Sequence, residues 1–260
     1  MNEPPSGQAD TPAPAQPSDK VQRLRLRFAR APEAASIGHL DLTRVWERAI
    51  REAGMRVSYS QGSRPQARLT LAAGLPMGVT SEAELLDVVL AAHVDTAKAI
   101  ARINAQLPAG LTLIDVWEVG MGLPSLPSSV RWSDYLVDVS AVSGEPALQR
   151  AVDALIAAAQ LPWEDTRGEK TRHYDLRALV QEIHIVGPDS DAGDDGSVPC
   201  AETVRLSMRL RCDPRGVGRP DQVVKALGLS EAQRIHRRRL VLNEVSPAHD
   251  AWRRRGRFVQ

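Results

Sequence analysis

The chain has 260 residues, of which 43% are hydrophobic and 25% are charged. Both fractions lie near the globular average and exclude a fully disordered or fibrous chain. No run of apolar residues is long enough to predict a membrane-spanning helix. Residues 1–20 lack the apolar core of a secretory signal, and the cysteines Cys200 and Cys212 form neither a disulfide framework nor a metal-binding spacing. We therefore expect a cytoplasmic protein.

The net charge of +1, from 33 basic and 32 acidic residues, excludes a generally cationic protein. Arginine dominates the basic set, because the only lysines are Lys20, Lys98, Lys170 and Lys225. A GC-rich genome alone would favour arginine in this way. The functional interpretation is that planar guanidinium groups serve bidentate contacts with phosphate or carboxylate. Only the positions of the arginines distinguish the two interpretations.

The first half of the chain predicts a β-α-β-β-α-β order. Apolar residues alternate with arginine at 21–30, which is typical of a half-buried strand. Apolar residues at helical spacing then predict a helix over 42–53, with Asp41 as its N-cap and Gly54 just beyond its end. The remaining predicted elements are strands at 57–60, 67–72, 84–90 and 111–119, and a helix at 95–107.

The second half repeats this order. Its predicted elements are strands at 130–142, 161–166, 179–186, 202–211 and 235–242, and helices that begin at Pro146 and Pro220. The same order occurs in the ferredoxin-like (split βαβ) sandwich, an antiparallel sheet with helices on one face. We therefore predict an α+β protein with two ferredoxin-like units in tandem. One continuous mixed sheet is the alternative.

The composition also predicts how these units are bounded. Residues 120–129 contain Gly, Pro and Ser but no charge, as expected of a linker. Residues 1–20 have too little apolar material to order themselves. The predicted organisation is a disordered tail at 1–20, a first unit at 21–119, a linker at 120–129, a second unit at 130–245 and a basic tail at 246–260.

Arginines on the strands predict a surface that contacts a polyanion. If helices cover one sheet face, arginines on the other face stand in a row, ~6.6 Å apart along the strand. This spacing is similar to that of phosphates in an extended nucleic-acid strand. The predicted rows consist of Arg23, Arg25 and Arg27 in the first half and of Arg205, Arg209 and Arg211 in the second. The alternative is an ordinary solvated face whose arginines pair with neighbouring acids, and the lack of exposed aromatic residues weakens a base-stacking role.

The C-terminal segment 230–260 adds a local excess of positive charge. Its eight arginines are Arg234, Arg237, Arg238, Arg239, Arg253, Arg254, Arg255 and Arg257. Against three acids they give a local net charge of +5. Such a segment attracts polyanions in a salt-dependent way. A tail that only increases solubility explains the charge equally well.

The start of the first predicted helix is a second candidate site. A helix N-terminus offers unpaired N–H groups and the positive end of a dipole, which suits an anion. Histidine can take up or release a proton near neutral pH, so His39 is the candidate acid/base, with Asp41 to orient it unless that residue only caps the helix. Arg44, Gln61 and Arg64 would complete a local pocket.

No metal site is predicted. The six histidines are scattered, and the Asp-rich segment at 187–199 is followed by Cys200 where a calcium loop would need glutamate. The sequence has no Walker loop, no Gly-x-Ser-x-Gly motif and no three-cysteine radical SAM cluster. We therefore expect no cofactor to be bound directly by this chain.

Two motifs, GHLDLTR at 38–44 and YSQGSRPQA at 59–67, resemble those of the uncharacterised radical SAM-linked bacterial family. Further similar segments are GLPMGVTSEAE, YDLRALV and GRPDQVVKALGL, so the resemblance spans about 21–242. The chain departs from the family pattern at Gly38, Ser63, Arg64, Gln66 and Ala67. Where the family has a second histidine, this chain has Gln66, which favours a binding role over a catalytic one.

The resemblance implies a partner, because members of this family are typically encoded beside or fused behind a B12-binding-type radical SAM protein. An iron–sulfur cluster and SAM would then belong to that partner. The tandem architecture is also similar to that of certain CRISPR RNA-processing endonucleases, in fold alone. We predict a non-catalytic accessory module that binds RNA, such as tRNA or rRNA, or another anionic substrate. The alternatives are an independent enzyme that uses His39 as acid/base and a protein–protein assembly scaffold.

Overall fold

The computed structural model describes residues 20–140, 144–187 and 203–243. The predicted basic tail, the predicted N-terminal tail up to residue 19 and the acidic segment from residue 188 onward lie outside the described residues. Within them, no helix is both long enough and apolar enough to cross a membrane. The α+β class is confirmed, with a mostly antiparallel sheet and helices packed against it.

At 57–60, where a strand was predicted, Val57 and Tyr59 form only isolated bridges. The first half otherwise contains four strands and two α-helices in the predicted order. They are β1 (Gln22–Arg30), α1 (His39–Glu52), β2 (Leu69–Leu71), β3 (Thr80–Leu90), α2 (Thr96–Asn104) and β4 (Leu111–Glu118). The strands lie side by side as β2-β3-β1-β4, and every pair is antiparallel. This is the strand order of a ferredoxin-like unit.

The second half follows the same order with an inserted hairpin. Its elements are α3 (Leu126–Ser129), β5 (Val130–Ser140), α4 (Glu145–Ala157), β6 (Pro162–Arg167), β7 (Lys170–Asp175), β8 (Val180–Val186), β9 (Thr203–Asp213), β10 (Gly216–Val217), α5 (Pro220–Ala226) and β11 (Ala232–Leu242). Strands β8-β9-β5-β11 repeat the arrangement of the first half. The hairpin β6–β7 pairs only with itself, and the sequence predicted only its first strand.

The two halves share one sheet. Strand β11 lies parallel to β3, with His236 opposite Thr80 and Arg237 opposite Ser81. The tandem and the continuous-sheet predictions therefore describe the same molecule, which has two ferredoxin-like strand orders in one nine-stranded sheet. The domain boundaries predicted from composition stay a prediction.

The pairing of β3 with β11 explains why β3 is longer than predicted. The sequence placed its start at Glu84, after a Gly- and Pro-rich connection, but the strand begins at Thr80. The Thr80 hydroxyl lies 2.8 Å from His236 Nδ1, and the Ser81 hydroxyl donates to the Arg237 carbonyl over 2.8 Å. Contacts with a strand more than 150 residues away therefore order this segment, and local sequence does not encode them.

Each half has its own apolar core between the sheet and its helices. In the first half Leu24, Leu26 and Phe28 of β1 face Trp46 of α1, and the rings of Phe28 and Trp46 are 4.7 Å apart. The second core includes Val137 on β5, packed under α4 and α5. A third, smaller cluster contains residues from both halves. Its members include Leu126, which lies in the predicted linker and is fully buried in α3.

Helix α1 begins earlier than predicted. Gly38, not Asp41, is its N-cap, and no side chain caps it, so Asp41 lies in the first turn. The chain before the helix is fixed by Arg30, a buried residue whose guanidinium donates to the carbonyls of residues 34, 35 and 37. This contact between β1 and the following segment sets where the helix starts. Asp41 still benefits from the helix dipole, which favours acidic residues in a first turn.

Candidate functional site

The predicted arginine row on β1 is not open to solvent. Arg23 and Arg25 are only 8% and 7% exposed. Both donate to Asp87 on β3, with Arg23 Nη2 at 2.6 Å from Oδ2 and Arg25 Nε at 2.7 Å from Oδ1. Arg23 also donates to the carbonyls of Leu123 and Pro124, in the segment that joins the two halves. The prediction of an exposed row is wrong at these two positions, and Arg27 is half-buried.

The cause is the antiparallel register of β1 and β3, which places Asp87 directly opposite Arg25. A buried guanidinium requires a nearby carboxylate, since an unpaired charge is costly to remove from water. The sequence contains a signal for this arrangement in LLDVVL, where one aspartate interrupts an apolar strand. Such an acid within a buried strand indicates an arginine on the neighbouring strand.

Two arginines of the second predicted row, Arg205 and Arg209, are neutralised in the same way. Arg205 donates to Asp138 over 2.6 Å, and Arg209 donates to Asp134 over 2.7 Å. Asp134 also accepts from Arg239 over 2.6 Å. Burial alone would raise the pKa of Asp134, but the hydrogen bonds from both guanidinium groups outweigh it and hold that pKa below its ordinary value. The alternative interpretation, arginines paired with neighbouring acids, is therefore the one observed here.

Two further predicted binding residues join the halves of the molecule. Arg237 is 0% exposed and donates to both carboxylate oxygens of Glu84 and to the carbonyl of Gly74. Arg238 is half-exposed and lies 3.4 Å from Glu82. Because Arg237 has no exposed donor, the prediction that it contacts RNA is wrong. The arginines predicted further along, from Arg253 to Arg257, lie outside the described residues.

The residues predicted at the start of α1 are exposed but do not form one pocket. Arg44 Nη1 lies 3.0 Å from Asp41 Oδ1, and both side chains are mostly solvent-exposed. Gln61 and Arg64 are exposed in the turn that follows residue 60. Across the described part of the chain, no hydrogen bond or ion pair joins His39 to any of these four residues. The geometry therefore shows no assembled acid/base pair.

A contact that the sequence analysis missed links the second motif to α1. The Tyr59 hydroxyl donates to Glu47 Oε1 over 2.6 Å. Burial, together with the Glu47 carboxylate, raises the pKa of Tyr59 to about 12. Tyr59 is therefore a neutral donor at physiological pH, and it holds the start of the 59–67 motif beside α1.

A cationic surface along the outer side of α1 stays exposed. Arg44, Arg48 and Arg51 recur at i, i+4 and i+7, opposite the buried side that contains Trp46, and all three are exposed. Residues 39–68 contain six arginines and three acids, which gives this segment a local net charge of +3. We call Arg44, Arg48 and Arg51 the α1 arginine stripe. The pattern of exposed positions on the helix contained the signal for it.

Metal chemistry finds no support in the described residues, where no three His, Cys, Asp or Glu side chains lie close enough to hold an ion. His39 and Asp41 are both exposed. The exposed guanidinium donors of the α1 arginine stripe suit contacts with phosphate or carboxylate oxygens.

The fold and this surface define an α+β protein of two ferredoxin-like units with a cationic outer helix. The family model for an uncharacterized protein conserved in bacteria (DUF2344) matches residues 23–220. Since this match covers well over half of the chain, the protein belongs to that family. A search of the curated proteins gives no match.

Solved structures give only distant likenesses. A Cbf5-Nop10-Gar1 complex is similar over 84% of this chain and 48% of its own, with 7% identity and a TM-score of 0.44. An unknown protein from Galdieria sulphuraria covers 80% of this chain and 89% of its own, with 13% identity and a TM-score of 0.23. The CRISPR endoribonuclease Cse3 bound to a 19 nt RNA covers 80% and 96%, with 14% identity and a TM-score of 0.21. The chain spans about half the length of the first of these structures.

Proposed function

We propose that the protein is a non-catalytic accessory module that binds RNA through the α1 arginine stripe and works with a radical SAM enzyme. The observation behind the RNA contact is the stripe itself. It keeps three exposed guanidinium groups on one line of a helix, whereas the strand arginines predicted for this role are paired with carboxylates.

The dimensions of the stripe suit a phosphate backbone. With a rise of 1.5 Å per residue, the Cα atoms of Arg44 and Arg51 are about 10 Å apart along the helix, with Arg48 between them. Guanidinium groups bind phosphate oxygens in a bidentate manner and stay charged at every physiological pH. Arg51 forms a side-chain hydrogen bond with Tyr59, and Arg44 is paired with an acid, Asp41, whose side chain is itself 66% exposed. An exposed pair of this kind contributes little free energy, so an incoming phosphate can replace it.

An independent enzyme is less well supported. His39 and Asp41 lack the contact that would make them an acid/base pair, as described above, and Asp41 is bonded to Arg44 instead.

The assembly-scaffold alternative has one specific observation in its favour. Leu40, 72% exposed, lies at the start of α1, and Met77 is 68% exposed. Apolar side chains this exposed suit a contact with a partner protein.

The partner in this proposal is inferred from the family motifs at 38–44 and 59–67. We propose a B12-binding-type radical SAM protein, which would hold the iron–sulfur cluster and SAM, so that this chain binds neither. The RNA would be the shared substrate, a tRNA or an rRNA, and the complex would act in the cytoplasm. Co-purification of the tagged chain from its native cells, followed by identification of the bound protein and the bound RNA, tests both parts of the proposal.

The RNA contact is tested by fluorescence anisotropy with labelled tRNA and labelled rRNA fragments at about 50 and about 200 mM salt. We expect the wild-type protein to bind at the lower concentration and to lose affinity steeply at the higher one. The triple variant R44A/R48A/R51A should bind at least about tenfold more weakly, with a salt slope smaller by about 2, since each lost phosphate contact removes about 0.7 for a single strand.

The matched control is R150A/R172A, which removes two exposed arginines of the second unit. It should bind RNA like the wild-type protein. Equal losses in the two variants would mean that the contact is a diffuse charge effect. No binding by the wild-type protein at the lower salt concentration would remove the RNA proposal altogether.

A further inference from the structure

A second group of arginines surrounds one carboxylate at the end of β9. The side chain of Asp213 is only 5% exposed, and its Oδ2 atom is approached by three guanidinium groups. Arg211 Nη1 lies at 3.3 Å, Arg215 Nη2 at 3.5 Å and Arg131 Nη1 at 3.9 Å. The other oxygen, Oδ1, accepts the backbone N–H of Arg215 over 2.8 Å. We call these four residues the Asp213 site.

The charges of this site do not balance. Three arginines and one aspartate leave an excess of +2, and within the described residues no second carboxylate lies within ion-pair distance of these three guanidinium groups. On the same sheet Asp138 binds one arginine at 2.6 Å, and Asp134 binds two at 2.6–2.7 Å with Glu182 nearby. The ion-pair contacts at Asp213, at 3.3–3.9 Å, are longer than these.

The unbalanced arginines can be reached from solvent. The side chain of Arg215 is 67% exposed and that of Arg131 is 43% exposed, whereas Arg211 is 24% exposed. The Arg211 guanidinium carbon lies 5.3 Å from the centre of the Trp132 ring, a cation–π contact that fixes its position. Asp213 thus holds three guanidinium groups, of which Arg211 is fixed against the half-buried Trp132 ring and the other two are more exposed to solvent.

We propose that the Asp213 site binds a phosphate monoester, and that its ligand is the terminal phosphate of a nucleotide. A phosphate monoester carries a charge of about −2 at neutral pH and presents three acceptor oxygens. That charge offsets the excess of +2, and three guanidinium forks can supply the donors. A phosphodiester carries a single negative charge and would leave the site partly unneutralised. Trp132, whose ring centre lies 5.3 Å from the Arg211 guanidinium carbon, would contact the sugar or base that follows the phosphate.

This inference does not rest on RNA binding by the α1 arginine stripe. The two surfaces belong to different units, since Arg131, Trp132, Arg211 and Asp213 lie on β5 and β9. The phosphate could belong to a free nucleotide or to the 5′ end of an RNA strand, and the chemistry of recognition would be the same. Separate arms of the test distinguish these sources.

The first arm is isothermal titration calorimetry with adenosine 5′-monophosphate and with adenosine, which differ only in the phosphate. We expect the monophosphate to bind at least about tenfold more tightly than adenosine. The variant R131A/R215A should lose this preference, while the R150A/R172A control keeps it. Both altered positions are exposed, and matching thermal unfolding temperatures would confirm that the fold is intact. Failure of the monophosphate to bind the wild-type protein, or unchanged binding by R131A/R215A, would overturn the inference.

The second arm compares a short oligouridylate with a 5′-phosphate and the same strand with a 5′-hydroxyl, both labelled at the 3′ end. A preference for the phosphorylated strand that R131A/R215A abolishes assigns the site to RNA ends. If neither strand is preferred and adenosine 5′-monophosphate still binds, the site takes free nucleotides. In both arms R44A/R48A/R51A should keep the preference for phosphate. The Asp213 site is therefore tested separately from RNA binding by the α1 arginine stripe.

Discussion

Arg237 on β11 and Glu84 on β3 form an ion pair that joins the two ferredoxin-like units inside the protein. Arg237 Nε donates to Glu84 Oε1 over 2.7 Å, and the two side chains are 1% and 4% exposed. Burial opposes the charge on Arg237, but Glu84 outweighs it and raises the pKa of the guanidinium above its ordinary value. This pair fixes β11 against β3, so residues expected to bind a ligand hold the sheet together instead.

We therefore predict that E84A and R237A each destabilise the protein by about 3 to 5 kcal/mol, because either change leaves one buried charge without its partner. Urea unfolding followed by circular dichroism measures the free energy of unfolding. The control is R238A, whose half-exposed partner is Glu82, and it should cost less than about 1 kcal/mol. Similar losses for all three variants would argue against a special role of the buried pair.

A second prediction concerns two glycines with the same backbone conformation. Gly110 and Gly78 have φ angles of +82° and +81°. A Cβ added at Gly110 would lie 2.6 Å from the Ala34 backbone nitrogen, whereas one added at Gly78 would meet nothing within 4 Å. We expect G78A to cost about 1 kcal/mol for the left-handed backbone alone, and G110A at least about 2 kcal/mol, since a clash adds to the same strain. Equal unfolding temperatures for the two variants would contradict the close approach of residues 110 and 34.

The lowered pKa of Asp134 predicts how stability depends on pH. Because its folded pKa lies below the unfolded value of about 3.9, its carboxylate stabilises the fold above that pH, and the contribution is lost as the pH falls further. The variant D134N should therefore be less stable than the wild-type protein at pH 7. The difference in free energy of unfolding should shrink as the pH approaches about 3. A difference that stays constant over this range would exclude the proposed ion pairs with Arg209 and Arg239.

The raised pKa of Tyr59 predicts that stability falls as the pH rises into the alkaline range. Its folded pKa of about 12 lies above the unfolded value of about 10, so its contribution to stability is present below pH 10 and is lost as the pH rises towards 12. Ultraviolet titration should show a late transition that is absent in Y59F. In E47Q this transition should move to a lower pH but stay above the ordinary value, because burial persists. A Tyr59 transition near pH 10 in the wild-type protein would contradict the contact with Glu47.

The sequence predicts the class of fold well because the signals for it are local. The helical spacing at 42–53 follows directly from which side of that helix is buried. The alternation at 21–30 also predicts a strand correctly, although both of its faces are largely buried. The strand order could also be predicted, because a β-α-β-β-α-β chain has few compact arrangements. The union of the two units into one sheet could be given only as an alternative, because it depends on contacts such as Thr80 with His236, far apart in the chain.

The candidate site was harder to predict. Alternating arginines on a strand look the same in sequence whether they face water or a carboxylate on the next strand. Asp87 and Asp138 decide the question, and each is visible as a single acid within an apolar strand, at LLDVVL and YLVDVS. The Asp213 site depends on the turn after β9, which brings Arg215 back beside Arg211, and on Arg131 from β5. Only the strand register places these residues together.

The central claim is that the outer side of α1 is the RNA-binding surface. Charge reversal tests it most directly: the RNA affinities of R44E/R48E/R51E and of the control R150E/R172E are compared by anisotropy at low salt. We predict that the α1 variant loses measurable binding, because three repulsive charges replace three attractive ones, while the control stays within about threefold of the wild-type protein. Wild-type affinity in R44E/R48E/R51E, with its unfolding temperature unchanged, would contradict the account.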